Sequence, residues 1–215
     1  MDTKRKLSMR LSGRRISVGL LAASIVGAFL MAGCQSGPAP RDHFYRMQAT
    51  PPESPAGTPV LEGVLVVDRF SADALTRGRP ILYRRSEDSL EVVPHGYHLW
   101  MDSPSVLLQG EMIDYLRAAG VADEVVTPTA GADADWALRG HVNRLEYVST
   151  SAGNRAVVEL ELRVARPRAE KPLLAGTYRV EHAAIPGSIE ETVRAFSEAL
   201  TELMAQLAKD LDGAR

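Results

Sequence analysis

The chain contains a single cysteine among its 215 residues. One cysteine cannot form an internal disulfide, so a disulfide-stabilised fold is excluded. The sequence also lacks HExxH, CxxC and GxSxG motifs and any glycine-rich phosphate loop, the usual signs of zinc peptidases, thiol redox proteins, α/β-hydrolases and nucleotide-binding enzymes. No internal repeat stands out. These absences favour a protein that is not an enzyme and needs neither a metal ion nor another bound cofactor.

Basic side chains are scarce once the first fifteen residues are set aside. Those fifteen residues carry six bases and one acid, and the remainder has 19 bases and 26 acids, a formal net charge of −7. Nucleic-acid binding requires a basic surface, and so does adsorption to anionic lipid by charge alone. We therefore expect no nucleic-acid partner.

One long hydrophobic run, residues 16–33, follows the basic residues at the start of the chain. A basic segment, an apolar segment and a small-residue exit together predict a secretory signal peptide over residues 1–33. The run is close to the lower limit of about 17 residues for crossing a bilayer, so an uncleaved membrane anchor is the alternative. In either case the remainder of the chain is expected to be exported.

The stretch Leu30–Cys34 reads LMAGC and resembles the bacterial lipobox. The small residues Ala32 and Gly33 suit a peptidase that cuts between Gly33 and Cys34, after diacylglycerol has been attached to the Cys34 thiol. An N-linked acyl chain such as palmitate completes the anchor, and stable anchoring does require more than one chain. Gln35, in place of aspartate, favours sorting to the outer membrane. A buried cysteine in an uncleaved anchor and a chance cysteine near an ordinary cleavage site are the alternatives.

The rest of the chain is predicted to be a short tether followed by one domain. Residues 34–43 form the lipidated N-terminus and a flexible tether, whose residues 35–42 reach about 28 Å when extended. Residues 44–213 are long enough for a single domain with a sizeable core. Its predicted strands lie within 43–48, 63–70, 79–86, 89–100, 135–148, 156–165 and 172–183.

Alternation of apolar and polar residues is clearest in the last three strands, which short turns join as a meander. In the first of these, apolar residues alternate from Trp136 to Val142 and then change parity at Leu145 and Tyr147, which predicts a bulge near residues 143–144. In the second, Val158 and every second residue after it are apolar as far as residue 164. This regular alternation predicts one buried and one exposed face.

Two amphipathic helices are predicted. The first follows Ser103 as N-cap and Pro104, and it stops at Gly120. The second begins with a capping box from Ser188 to Glu191 and carries an apolar stripe at spacings of three and four. Helices with one apolar stripe pack on a sheet. The predicted fold class is therefore α+β, a largely antiparallel sheet with the two helices packed on one face.

Candidate chemical residues are few, and a structural interpretation competes with each. His95 and His98 are the best candidate metal ligands in the sequence. Residues three apart on a strand point to opposite faces, so the two side chains are poorly placed to bind one ion. Exposed histidines near a bulge are therefore favoured over a metal site. Asp133 and Asp135 form a potential acid pair, and turn residues before a strand are the favoured interpretation. No catalytic, cofactor-binding or metal-binding residue is predicted.

One local cluster of arginines occurs in the stretch TRGRPILYRRS, at residues 76–86. Its members are Arg77, Arg79, Arg84 and Arg85. The favoured interpretation is a solvated strand edge, because exposed charges usually serve no more than solubility. Contact with an acidic partner protein is the sharper hypothesis.

The order of these elements resembles the ABC-type transport auxiliary lipoprotein family, the PqiC-like proteins. The resemblance depends on a lipobox followed by the strand Tyr45–Met47, the strand Ile81–Arg84, Trp100 before the first helix, and the strand Asp135–Tyr147. Methionine stands where leucine is usual in the first strand, and Tyr147 stands near where phenylalanine is common. The resemblance covers nearly the whole chain after the leader, and its motifs are structural rather than catalytic.

This resemblance implies a lipid-anchored accessory protein of an envelope lipid-transport system. Such a system pairs an inner-membrane ABC transporter with an MCE-domain protein that bridges the periplasm. The lipoprotein would be an adaptor that docks this bridge at the periplasmic face of the outer membrane, and a homo-oligomeric ring is one arrangement that the resemblance implies. A freestanding envelope-assembly or interaction lipoprotein is the alternative, and a periplasmic hydrolase ranks third.

Overall fold

A computed structural model of the chain describes residues 40–53, 57–151, 153–185 and 188–214. The predicted leader, the cleavage flank Gly33 and the lipidation site Cys34 lie outside these residues. The strands are β1 (His43–Tyr45), β2 (Leu61–Val67), β3 (Ser71–Ala72), β4 (Pro80–Arg84), β5 (Val93–Trp100), β6 (Ala122–Val126), β7 (Trp136–Thr150), β8 (Gly153–Ala165) and β9 (Leu174–Ala184). The helices are α1 (Pro104–Ala118) and α2 (Ile189–Gly213), and a 3-10 turn spans Pro128–Ala130.

Strand β7 organises the sheet because it has partners along both edges. On one edge it pairs antiparallel with β8, which in turn pairs antiparallel with β9. On the other edge, β2, β3 and β4 follow one another along its length, and all three run parallel to it. Beyond β2 lies β6, and beyond β4 lie β5 and then β1. The described strands thus form one nine-stranded sheet.

The expectation of a largely antiparallel sheet is wrong, because the sheet is mixed. Antiparallel pairing is confined to the β7–β8–β9 meander and to β4 with β5. Parallel pairing needs a crossover between the strands, and between the parallel neighbours β2 and β6 the chain passes through α1. The sequence predicted the meander, whose strands are joined by short turns, but it did not show where the earlier strands return to the sheet.

The predicted pattern within the meander is confirmed. The pairing of β7 with β8 shifts between Val142 and Arg144, where the change of parity predicted a bulge. Along β8, alternate side chains from Val158 onward are fully buried, while Glu161 and Arg163 between them are exposed. The alternation in this part of the sequence therefore encodes both the register and the buried face.

The two helices share one hydrophobic core with the sheet. Helix α2 packs against β8 and β9, α1 packs against β2 and β6, and the helices contact each other. Trp100 at the end of β5 meets Phe196 of α2 edge to face, with ring centroids 5.4 Å apart. At the start of α2, the Ser188 hydroxyl accepts a hydrogen bond from the Glu191 backbone N–H at 3.3 Å, which satisfies one of the free amides of the first turn.

The segment that follows β1 is held against both helices. The Met47 side chain is fully buried in the core. The backbone N–H groups of residues 48–50 then donate in turn to Ser197 on α2, Glu111 on α1 and Thr201 on α2, at 3.1, 2.8 and 2.9 Å. These three bonds fix an extended stretch that belongs to no strand.

Candidate functional site

The two histidines of the HGYH stretch lie in contact. His95 and His98 meet edge to face, with ring centroids 4.3 Å apart. The expectation that they point to opposite faces is wrong, because Tyr97 between them adopts a left-handed backbone conformation with φ of 62°. A residue in this region interrupts the strict alternation of a strand, and here the two rings come together.

A third histidine joins them from β1, the strand next to the predicted tether. His43 pairs with His98 in the parallel register of β1 and β5, and the two rings stack with centroids 5.2 Å apart. The Tyr45 hydroxyl lies 2.9 Å from the His98 Nδ1, within hydrogen-bond distance. Nothing in the local sequence pairs β1 with β5, which is why the cluster was not predicted.

These side chains line a cavity of about 520 Å³ between β1, β5, β7 and the start of α2. Its walls are mainly polar and aromatic, and they are formed by His43, Tyr45, His95, His98, Tyr147, Ser149, Asn154, Ser188, Ile189 and Glu190. We refer to it as the histidine cavity. Among the described residues, no three histidine, cysteine, aspartate or glutamate side chains are arranged to hold a metal ion. The cavity therefore offers hydrogen-bonding groups and aromatic faces.

Burial shifts the pKa values of His98 and Tyr147 in the histidine cavity. The pKa of His98 is lowered by burial, then by the neighbouring His95 and His43, and the Glu190 carboxylate opposes this only in part. The imidazole of His98 is therefore neutral at pH 7. Tyr147, which is 6% exposed, has its pKa raised to about 12 by burial and then by Tyr83, so its phenol also stays neutral.

The acid pair considered at residues 133 and 135 has a structural role. The Asp135 carboxylate accepts a hydrogen bond from the backbone N–H of Val64 on β2 at 2.9 Å, beside the register shift in the pairing of β2 with β6. Asp133 is exposed. This arrangement agrees with the interpretation of the stretch as a turn before β7.

The arginine cluster at residues 77–85 is largely exposed, as expected for a solvated strand edge. Arg77 and Arg79 donate to backbone carbonyl oxygens, and Arg84 pairs with the buried Glu146 at 2.7 Å. Arg77, Arg79 and Arg85 are exposed, and only Arg84 is partly buried. Three of the four arginines also bond to the fold, and contact of the cluster with an acidic partner stays a prediction.

A serine and a histidine come together where β3 pairs with β7. The Ser71 hydroxyl lies 2.9 Å from the His141 Nδ1, and it can also donate to the Gly140 carbonyl oxygen at 3.2 Å. Glu161 faces His141 across β7 and β8, but no carboxylate of the described residues hydrogen-bonds to the His141 ring. The contact is therefore a pair and not the three-membered relay that nucleophilic catalysis uses.

The comparisons with known proteins concern nearly the whole described chain. A family model for the ABC-type transport auxiliary lipoprotein component matches residues 45–208. The crystal structure of protein XCC0632 from Xanthomonas campestris, of family DUF330, is similar with a TM-score of 0.68 at 18% identity, covering 80% of this chain and 96% of that one. A crystal structure of an uncharacterized protein gives 0.61 at 14% identity, with coverages of 80% and 99%.

At these identities the structural likeness shows the fold alone. No curated protein matches the chain significantly. Neither of the two described helices is long and apolar enough to cross a membrane.

Proposed function

Since the chain belongs to the family of ABC-type transport auxiliary lipoprotein components, we propose that it is the lipid-anchored adaptor of an MCE-type ABC lipid-transport system. The observation that carries the proposal is the extent of the family match, which runs from the last residue of β1 to the last turns of α2. The matched span thus contains β2 to β9, all of α1 and most of α2, and the proposed role belongs to the domain as a whole.

In this role the protein is a docking component and not an enzyme. Three acyl chains on Cys34 hold it at the periplasmic face of the outer membrane, and it receives the far end of the MCE-domain bridge from the inner-membrane transporter. Only nine positions separate Cys34 from His43 at the start of β1, so the tether keeps the domain within about 30 Å of its anchor. A ring of several copies would surround the end of the bridge. No cofactor is needed for this function.

The proposal is tested by purification of an affinity-tagged protein from membranes after mild crosslinking. We expect the MCE-domain protein and subunits of the ABC transporter to co-purify. A Cys34→Ala variant is the matched control: it should lack incorporated fatty acid, leave the outer-membrane fraction and lose these partners. Recovery of the wild-type protein without any transporter subunit would favour the freestanding lipoprotein, and fatty-acid label retained in Cys34→Ala would refute the anchor.

The contact between Ser71 and His141 is the one observation that favours a hydrolase as a second candidate. A nucleophilic serine needs a base that is itself oriented by a third group, which this pair lacks. We expect the purified protein to hydrolyse a p-nitrophenyl ester no faster than its Ser71→Ala variant. A rate that depends on Ser71 would establish the hydrolase instead.

A further inference from the structure

Four arginines gather around one groove at the end of the meander where β7 begins and β8 ends. The groove has a volume of about 390 Å³. Its basic side chains are Arg139, Arg163, Arg166 and Arg168. We call it the arginine groove. Its charge stands out because the chain that follows the leader carries a formal net charge of −7.

Two of these arginines face each other across neighbouring strands. Arg139 of β7 and Arg163 of β8 are direct partners in the antiparallel register, and like charges in this position destabilise a sheet. One acid relieves part of the repulsion, since Asp68 accepts from the Arg139 Nε at 2.9 Å. The other three arginines of the groove form no ion pair with any described residue.

Elsewhere the meander neutralises its arginines. Three arginines on β7, β8 and β9 each pair with one or more glutamates of the fold. They are Arg144 with Glu146, Arg155 with Glu87 and Glu181, and Arg179 with Glu159 and Glu181. Within the meander, the excess positive charge is therefore confined to the arginine groove.

The positions of two arginines in the groove are restricted without a bound ligand. The Arg166 guanidinium lies over the Trp136 ring at 4.3 Å from its centroid, a cation–π contact that limits the movement of the side chain. Arg168 occupies the turn with a left-handed φ of 63°. A second hollow of about 240 Å³, which includes Glu161 and Ser71 in its wall, shares Arg139 and Arg163 and so extends the groove along the sheet.

Guanidinium groups bind carboxylates and phosphates through paired hydrogen bonds, so the ligand must be an anion. Its place in the fold favours a protein over a lipid headgroup. The predicted tether precedes β1. In the sheet, β5 and β4 lie between β1 and β7, and β4 pairs with β7 at Glu146–Val148. The distance from Arg139 to Tyr147 along β7 is about 26 Å at roughly 3.3 Å per residue. The arginine groove thus lies at the end of β7 remote from the strand that continues into the tether.

We propose that the arginine groove binds an acidic segment of a partner protein. Carboxylates of such a segment would pair with Arg163 and Arg168, and Arg166 would hold a further one against Trp136. The inference rests on the proposed function only for the partner's identity, which would be a protein of the transporter assembly. It assigns the docking surface to this end of the sheet.

The experiment measures the binding of a fluorescently labelled peptide of alternating glutamate and aspartate to the full mature protein in detergent. We expect Arg163→Glu/Arg168→Glu to weaken binding at least about tenfold, since two charge-assisted pairs are lost. The control Arg41→Glu/Lys209→Glu has the same change in net charge at exposed positions outside the groove. It should retain affinity within about twofold, because distant charges are screened at physiological salt. Thermal unfolding verifies that both variants fold.

Two further measurements distinguish a carboxylate of a protein from the phosphate of a lipid or of free solution. Vesicles that contain phosphatidylglycerol, and free inorganic phosphate as competitor, report on phosphate binding. Groove-dependent binding of the vesicles without binding of the peptide would overturn the proposal in favour of a membrane contact. Equal loss of peptide binding in the groove variant and the control would overturn it as well.

Co-purification in cells keeps this inference distinct from the proposed function. Where the wild-type protein recovers the transporter assembly, the groove variant should not, while the control should. Equal recovery by the groove variant would overturn the assignment of the docking surface and leave the adaptor role standing. Failure of the wild-type protein itself would instead refute the adaptor role, and peptide binding would still decide the chemistry of the groove.

Discussion

Glu146 is the one buried acidic side chain among the described residues. It is 4% exposed, it accepts a hydrogen bond from the Arg144 Nε at 2.8 Å, and it forms an ion pair with the Arg84 Nε at 2.7 Å. The two guanidiniums belong to β4 and β7, which run parallel and adjacent here. The carboxylate therefore neutralises two cations that would otherwise repel each other at a strand pair with little access to solvent.

Replacement of Glu146 by glutamine should destabilise the protein strongly. The change leaves two poorly solvated arginines without a counter-charge, and we expect a loss of about 3 kcal/mol in the free energy of unfolding. Urea denaturation followed by circular dichroism measures this loss. The control is Glu87→Gln: Glu87 pairs with Arg155, each side chain is 39% exposed, and the cost should be under about 1 kcal/mol. Equal costs for the two variants would contradict the interpretation.

At the scale of the element, two glycines show how the same substitution acts in opposite directions. Gly63 lies in β2 with a φ of +91°, and an added Cβ would stand 2.1 Å from the Asp135 carboxylate oxygen. Gly110 lies in the interior of α1, where an added Cβ would meet no atom within 4 Å. Glycine is thus required in the strand and unfavourable in the helix.

Gly63→Ala should destabilise the protein, and Gly110→Ala should stabilise it. A left-handed conformation costs a residue with a Cβ about 1–3 kcal/mol, and displacement of Asp135 adds to this. Alanine in a helix interior gains about 0.5–1 kcal/mol over glycine. Melting temperatures of the two variants, measured side by side, test both signs. A stabilised Gly63→Ala variant would show that β2 does not need the bulged backbone at this position.

The sequence predicts elements better than it predicts their partners. The parity change after Val142 placed the bulge of β7, and Gly120, with a φ of 66°, does follow the end of α1. Strand β6 was missed because Asp123 and Glu124 interrupt its apolar pattern. The parallel neighbours of β7 could not be foreseen, because residues distant in sequence select them.

The same limit applies to the sites. The histidine cavity depends on the left-handed Tyr97 and on the pairing of β1 with β5, neither of which leaves a signal in the local sequence. The arginine groove combines residues of two strands and the turn after β8. Of the cluster that the sequence did show, only Arg84 is partly buried and paired with an acid, Glu146.

For the whole molecule, we expect the histidine cavity to make the free energy of unfolding depend on pH. Since the pKa of His98 lies below its ordinary value of 6.5, the unfolded chain binds more protons than the folded one in the interval between the two pKa values. The folded state favours the neutral form of His98. The stability that this form contributes is fully present above pH 6.5, and it is lost as the pH falls toward the folded pKa of His98. His43, His95, Tyr45 and Glu190 face this ring, and of these only Glu190 favours its protonated form.

We therefore expect the unfolding free energy to fall on acidification from about pH 7.5 to about pH 5.5, and to fall less steeply in His98→Gln. Denaturation curves across this interval provide the test. His141→Gln is the control, because His141 lies outside the histidine cavity. An unchanged pH dependence in His98→Gln would mean that other groups cause the loss.

The bonds that hold residues 48–50 have a mechanical consequence. A pull exerted on the chain ahead of β1 loads that strand first and then, within a few residues, the side chains of Ser197, Glu111 and Thr201 on the two helices. Once β1 has been peeled away, the buried Met47 and these three bonds hold the residues that follow it. We therefore expect detachment to stop at the helical layer, directly after the three-residue edge strand.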